Sequence, residues 1–188
     1  MKDQTTKGDI LYIACLFGGP SSLLLLDIAS GGVFADLLSP VLARQTVLET
    51  VPKLANDFDV IAAHHFSYAP DPYLYWYFAA LAYATFAGCL GSVHSLTVAR
   101  RPARAATVWR QMPDRWWKWL FFGVIVVGIL LWPWVGPSML ATPDGADRAL
   151  PPGPIHALLM SLILAMYAAT VAAIPAFIRI VLARRADG

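Results

Sequence analysis

Four apolar stretches divide the chain, and the central part of each lacks Lys, Arg, Asp and Glu. They lie at about residues 10–26, 73–99, 119–140 and 155–182. A helix needs about 20 predominantly apolar residues to cross the hydrocarbon core of a bilayer, and the four stretches approach or exceed that length. The pattern therefore predicts an all-α membrane protein, in which residues 1–188 form a single polytopic domain with four transmembrane helices.

The starts of the first two stretches differ in how clearly they are marked. The first is the shortest, and its Gly-Gly-Pro sequence at residues 18–20 should bend a helix. Its basic flank, its apolar centre and the triplet at residues 33–35 also fit a cleaved signal peptide, so that alternative stays open. The second has a well-marked start, with Asp71 as a possible N-cap and Pro72 in the first turn.

The first outer loop, about residues 28–71, is too long for a simple connector and is partly apolar. Ser39 can cap a helix that begins at Pro40, and apolar and charged positions are then mixed as far as Pro52, which should end or bend that helix. We therefore expect an amphipathic segment in this loop that lies on the membrane or on a partner.

Basic residues are divided unevenly between the two sides of this arrangement. Eleven of the 14 Lys and Arg residues lie in the N-terminal tail, in the loop at residues 100–118 or at the C-terminal end. The positive-inside rule therefore places both termini and the basic inner loop in the cytoplasm. The predicted basic face of this loop comprises Arg100, Arg101, Arg104 and Arg110.

Composition supports a lipid environment. The chain is 58% hydrophobic and only 14% charged, and its frequent Ala, Arg and Pro indicate a bacterial inner membrane. Aromatic residues cluster at the predicted outer ends, at residues 73–77 and at Trp132 and Trp134, and we expect them to form a belt at the membrane interface.

Small residues recur at helical spacing in the second and fourth spans. Such positions allow two helix backbones to approach closely, either inside the bundle or against another subunit. The predicted packing positions are Ala80, Ala84, Gly88 and Gly91 in the second span and Ala165, Ala169 and Ala173 in the fourth.

Four outer residues, His64, His65, Asp59 and His156, form the candidate metal site, with Asp57 nearby. Imidazole and carboxylate groups suit a divalent transition metal, although the spacing matches no specific motif. Adjacent histidines in a polar segment are more often solvated, and His94 in the second span can form its hydrogen bond locally. No cofactor is therefore predicted, and binding of a metal or a haem is kept as an alternative.

Motifs of phosphate-binding loops, zinc proteases and serine hydrolases are absent from the sequence. We therefore expect a non-catalytic accessory or scaffolding subunit of a larger bacterial inner-membrane complex. A channel or small-solute transporter component is the first alternative, and a metal- or haem-binding redox protein is the second. The expected partners are the lipid bilayer, other membrane subunits and a cytosolic protein at the basic inner loop, whereas nucleic acid is not expected.

Overall fold

The computed structural model describes residues 7–64, 70–99, 116–138 and 154–186. The regular structure in these ranges is entirely helical, as the sequence predicts. The helices are α1 (Lys7–Ser30), α2 (Val33–Leu38), α3 (Arg44–Thr50), α4 (Pro52–His64), α5 (Pro70–Ala99), α6 (Trp116–Val135) and α7 (Pro154–Ala186).

Two of the helices are long and apolar enough to cross a membrane. These candidate spans are Pro70–Leu96 within α5 and Leu158–Arg179 within α7. The apolar parts of α1 and α6, Ala14–Ser30 and Leu120–Val135, are shorter. The fold is therefore helical with two candidate spans in the described residues, and the first and third predicted spans remain predictions.

Prolines lie within three of the long helices without ending them. The helix continues through Pro20 in α1, through Pro133 in α6 and through Pro175 in α7. Helix α6 nevertheless ends at Val135, five residues before the predicted end of the third span. Its last turn is closed by the Gly136 N–H, which donates to the Trp132 carbonyl over 2.9 Å.

Helices α5 and α7 form the central packing contact, and α1 packs against both. Ala80 and Ala84 are buried in this core. A Cβ atom added at Gly88 would lie 2.9 Å from the Val171 Cβ and 3.0 Å from the Ala168 carbonyl oxygen. The two backbones therefore approach so closely that only glycine fits at this point.

The other predicted packing positions do not all share this environment. Gly91 is buried against Tyr12 of α1, and Ala165 is fully buried on α7. Ala169 is half-buried and Ala173 is exposed. The small residues of α7 therefore extend beyond the face that contacts α5.

Helix α6 lies at the side of the bundle, where it contacts α7 and α4. Its large apolar side chains point mostly away from the described residues. Those more than 50% exposed are Leu120, Phe121, Val124, Val127, Leu131 and Val135. In water such a surface would be unfavourable, whereas lipid or another apolar surface would accommodate it.

The described part of the outer loop folds as three short helices, which corrects the prediction of one amphipathic helix that begins after Ser39. Gly31 and Gly32 adopt φ angles of 75° and 111°, a conformation that glycine tolerates best, and a new helix starts directly after them. The Asp27 carboxylate accepts a hydrogen bond from the Phe34 N–H over 3.2 Å at that start. Ser39 consequently caps the C-terminus of α2.

Pro52 begins α4 in the structure, whereas the sequence analysis expected it to end or bend a helix. A proline is well tolerated at the first helical position, because the N–H that it lacks has no partner within the helix there. The predicted N-cap residue of the second span, Asp71, likewise lies inside the first turn, since α5 begins at Pro70.

Substitution at Gly88 should destabilise the bundle. We expect Gly88→Ala to lower the free energy of unfolding by about 1–3 kcal/mol, because its methyl group would overpack the contact between α5 and α7. Gly128→Ala is the matched control, since nothing lies within 4 Å of a Cβ atom there, and it should be neutral or stabilising by up to about 1 kcal/mol. Thermal unfolding in detergent would measure both, and equal effects of the two substitutions would contradict the close contact.

Candidate functional site

Helices α2, α3 and α4 together form a cap, which we call the outer cap, on the ends of the longer helices. Its inward side is apolar, and Val47, Val51 and Leu54 are completely buried. Lys53 and Asp57 are also completely buried and lie one helical turn apart on α4. The spacing places both charges on the same side of the helix, facing the protein interior.

Lys53 connects α4 to the segment that follows α6. Its Nζ atom donates to the two Asp57 carboxylate oxygens over 3.1 and 3.4 Å. It also donates to the Pro137 carbonyl oxygen over 3.2 Å. The three donor hydrogens of the ammonium group thus have acceptors on two separate parts of the chain.

Tyr73, on the first turns of α5, extends the network to α7. Its hydroxyl donates to Asp57 Oδ2 over 2.9 Å and lies 3.1 Å from His156 Nε2. Because the hydroxyl proton is directed to the carboxylate, we assign the imidazole proton to Nε2, which then donates to the tyrosine oxygen. Lys53, Asp57, Tyr73 and His156 together are called the buried polar cluster below.

His156 is electrically neutral in this environment. It precedes the apolar span Leu158–Arg179 and is completely buried. Burial lowers the pKa of His156 to about 4, a shift that the Asp57 charge opposes and the Lys53 charge reinforces. Its Nδ1 atom has no hydrogen-bond partner among the described residues.

Aromatic rings surround the buried polar cluster. The Tyr73 ring centroid lies 6.0 Å from that of Trp76, which in turn lies 6.1 Å from that of Tyr77 in an edge-on arrangement. The Tyr77 hydroxyl donates to the Pro133 carbonyl over 3.0 Å, and the Tyr75 hydroxyl donates to the Leu42 carbonyl over 2.9 Å.

These four aromatic residues were predicted to lie in an interface belt, and for them that prediction is wrong. Tyr73, Tyr75, Trp76 and Tyr77 are each at most 3% exposed. The outer cap covers the start of α5, so the rings contact protein, and the hydroxyl groups of the three tyrosines have carboxylate or carbonyl acceptors. The Trp76 Nε1 atom has no hydrogen-bond partner among the described residues.

The buried polar cluster can hold the outer cap in one position on the bundle. Its members come from α4, α5 and α7, and a fourth segment contributes the Pro137 carbonyl. A buried ion pair depends on such additional hydrogen bonds, because desolvation of the two charges is costly. Displacement of any of these segments would leave a buried charge or dipole without its partner.

The structure separates the residues of the predicted metal site. His156 lies in the buried polar cluster beside Asp57, whereas Asp59 is on the exposed side of α4. His64 is the last residue of α4, and His65 lies outside the described residues. No three His, Cys, Asp or Glu side chains come together within the described part of the chain. Metal binding at the full predicted set therefore stays a prediction.

His156 of α7 lies beside the start of α5, whereas His94 lies near the other end of α5. His156 contacts Tyr73, and His94 is 21 residues further along the helix, which corresponds to about 30 Å. His94 instead faces Tyr12, with ring centroids 5.8 Å apart. The two histidines therefore do not share a site. The predicted basic face of Arg100, Arg101, Arg104 and Arg110 lies outside the described residues.

Neither Lys53 nor Tyr73 was predicted as a site residue, although both are central to the site. Lys53 was counted among the three basic residues on the outer side, and Tyr73 was placed in the interface belt. The available signal was the four-residue spacing of Lys53 and Asp57 within a segment that also contains Leu54 and Ile61. That pattern places an ion pair on the apolar side of a helix.

No known protein family, curated protein or solved structure matches this chain.

Removal of Lys53 should be strongly destabilising. We expect Lys53→Met to cost about 3–5 kcal/mol, because it leaves the Asp57 carboxylate buried without a counter-charge, and the double variant Lys53→Met/Asp57→Leu to cost less. Arg44→Gln is the matched control, since its ion pair with Asp71 has side chains 54% and 52% exposed and should contribute about 1 kcal/mol or less. Denaturant unfolding in detergent would measure all three, and a double variant no more stable than Lys53→Met would contradict the burial of the pair.

Stability should fall in acid through His156. The pKa is about 4 in the folded protein and 6.5 without burial, so the unfolded chain binds the proton first as the pH falls. The stabilisation is complete above about pH 6.5 and is lost between 6.5 and 4, by at most about 1.4 kcal/mol per pH unit. Unfolding measured across this range should therefore show a steeper pH dependence for the unmodified protein than for His156→Gln. Parallel pH profiles would contradict a neutral, buried His156.

Proposed function

We propose that this protein is a four-span, non-catalytic accessory or scaffolding subunit of a larger bacterial inner-membrane complex, with both termini in the cytoplasm. The uneven distribution of Lys and Arg supports the orientation. In this arrangement α1 and α6 also cross the membrane, in addition to the two candidate spans in α5 and α7.

Helix length supports the two further crossings. Helix α1 has 24 residues and α6 has 20, so at 1.5 Å per residue they are about 36 and 30 Å long. The hydrocarbon core of a bilayer is about 30 Å thick. The complete helices therefore match the membrane, although their apolar parts are shorter, and lipid would accommodate the exposed apolar surface of α6.

The contacts of the buried polar cluster support the alternation of the spans. Tyr73 at the start of α5, Pro137 just after α6 and His156 at the start of α7 meet through Lys53 and Asp57. A chain that crosses the membrane at α5, α6 and α7 in turn would bring these three helix ends to the same side.

A role in assembly is best supported by the exposed apolar surface of the outer cap, which the buried polar cluster holds in place. Leu37 on α2 is 64% exposed, and Val41 in the turn after α2 is 86% exposed. Side chains that the cap buries, such as Val47, occupy its other side. A fixed surface with exposed aliphatic side chains can bind another subunit without first paying the entropy of ordering a loop.

Purification from native membranes in mild detergent, with mass spectrometry of stoichiometric companions, tests the proposal. We expect reproducible larger subunits with the unmodified protein and a severalfold loss of them with Leu37→Ser/Val41→Ser. Ala62→Ser/Ala63→Ser is the matched control, because both alanines are exposed on α4 of the same cap, and it should retain the companions. Thermal unfolding of each variant would verify that the bundle is intact.

A homo-oligomer free of other subunits would contradict the assembly role. If that homo-oligomer also changed ion or solute flux in liposomes, the channel or transporter alternative would replace it. Companions that persist equally in both double variants would place the contact elsewhere than at Leu37 and Val41 and would overturn the role of the outer cap.

A further inference from the structure

An open groove lies at the end of the bundle opposite the outer cap. It has a volume of about 670 Å³ and is lined by Leu96 of α5 and by Pro175, Ile178, Arg179 and Leu182 of α7. Its walls are thus aliphatic, with one guanidinium group among them. The volume is within the range of pockets that bind small molecules.

Arg179 gives this groove a defined position and charge. It is the last residue of the apolar span Leu158–Arg179, and its side chain is exposed. No carboxylate within the described ranges forms an ion pair with it. A guanidinium group at the end of a span lies at the depth of lipid headgroups, where it can bind a phosphate through two parallel hydrogen bonds.

We propose that this groove binds an anionic phospholipid of the cytoplasmic leaflet. Arg179 binds the headgroup phosphate, and the first acyl segments lie on Leu96 and Ile178. The inference rests on the membrane placement given under Proposed function, in which the end of α7 faces the cytoplasm, and not on the assembly role. It extends that placement by naming a ligand class and a binding residue.

The groove combines an aliphatic wall with a guanidinium group, and this combination favours a lipid over a free phosphate. Ile178 is 49% exposed, so an acyl chain can lie on it while the phosphate of the same molecule binds Arg179, whereas inorganic phosphate would contact only Arg179. The positive charge of Arg179 favours an anionic over a zwitterionic headgroup, because the ammonium of phosphatidylcholine offsets the attraction to its phosphate.

Native mass spectrometry and thermal unfolding of the full-length protein, titrated with phosphatidylglycerol or phosphatidylcholine, test this site. We expect phosphatidylglycerol to bind and to raise the unfolding temperature more than phosphatidylcholine does. Arg179→Gln should weaken the apparent affinity for phosphatidylglycerol by about fivefold, the effect of one basic residue near an anionic surface. Arg44→Gln, an exposed arginine at the other end of the molecule, should leave it unchanged.

Two further measurements distinguish a lipid site from a simple phosphate site and test the membrane placement separately. Glycerol 3-phosphate should reproduce neither the binding nor the stabilisation, and equal stabilisation by it would overturn a lipid site. Equal responses to the two lipids, or equal effects of Arg179→Gln and Arg44→Gln, would also overturn the proposal. A reporter fused after Asp187 tests the membrane placement independently. A cytoplasmic signal without a preference for phosphatidylglycerol would refute the lipid site alone. An outward signal would refute the membrane placement.

Discussion

The ion pair between Lys53 and Asp57 is the interaction on which the outer half of this structure depends. Neither side chain is exposed, so both charges have lost their hydration and require partners within the protein. Tyr73 and the Pro137 carbonyl provide those partners from two other segments, and His156 adjoins the network through the tyrosine hydroxyl. The pair is therefore stable only when α4, α5, α7 and the segment after α6 are all in place. That dependence converts a long loop into a fixed part of the bundle.

Helix α5 shows how one element serves two kinds of packing. Its first turns carry large aromatic side chains that are buried beneath the outer cap, and the hydroxyl groups of Tyr75 and Tyr77 donate to backbone carbonyls. Further along, Ala84 and Gly88 let α7 approach closely. Ser92 continues this contact by donating to the Val171 carbonyl over 3.2 Å. Small side chains thus permit the close contact between α5 and α7, and large aromatic side chains fill the space beneath the outer cap.

The long helices and their approximate bounds could be predicted from the sequence, because apolar runs of membrane length and their flanking residues are local signals. The division of the outer loop was missed, since the left-handed turn at Gly31 and Gly32 and the start of α4 at Pro52 outweigh the cap signal at Ser39. The candidate site was found only in part. Asp57 and His156 were noted as outer residues, but the pairing of Tyr73 with His156 joins positions 83 residues apart, and no spacing rule reports such a contact.

In the proposed topology, the outer loop is folded onto the external end of a membrane bundle. Thiol labelling of intact cells tests it, with the native Cys15 and Cys89 replaced by Ser and a single new cysteine at either of two adjacent positions. Thr50 is exposed and Val51 is completely buried, so a membrane-impermeant maleimide should label Thr50→Cys from outside and spare Val51→Cys. Adding Lys53→Met should expose the second position. Equal labelling of both positions in the otherwise unmodified protein, or labelling of Thr50→Cys only after the cells are permeabilised, would contradict the account.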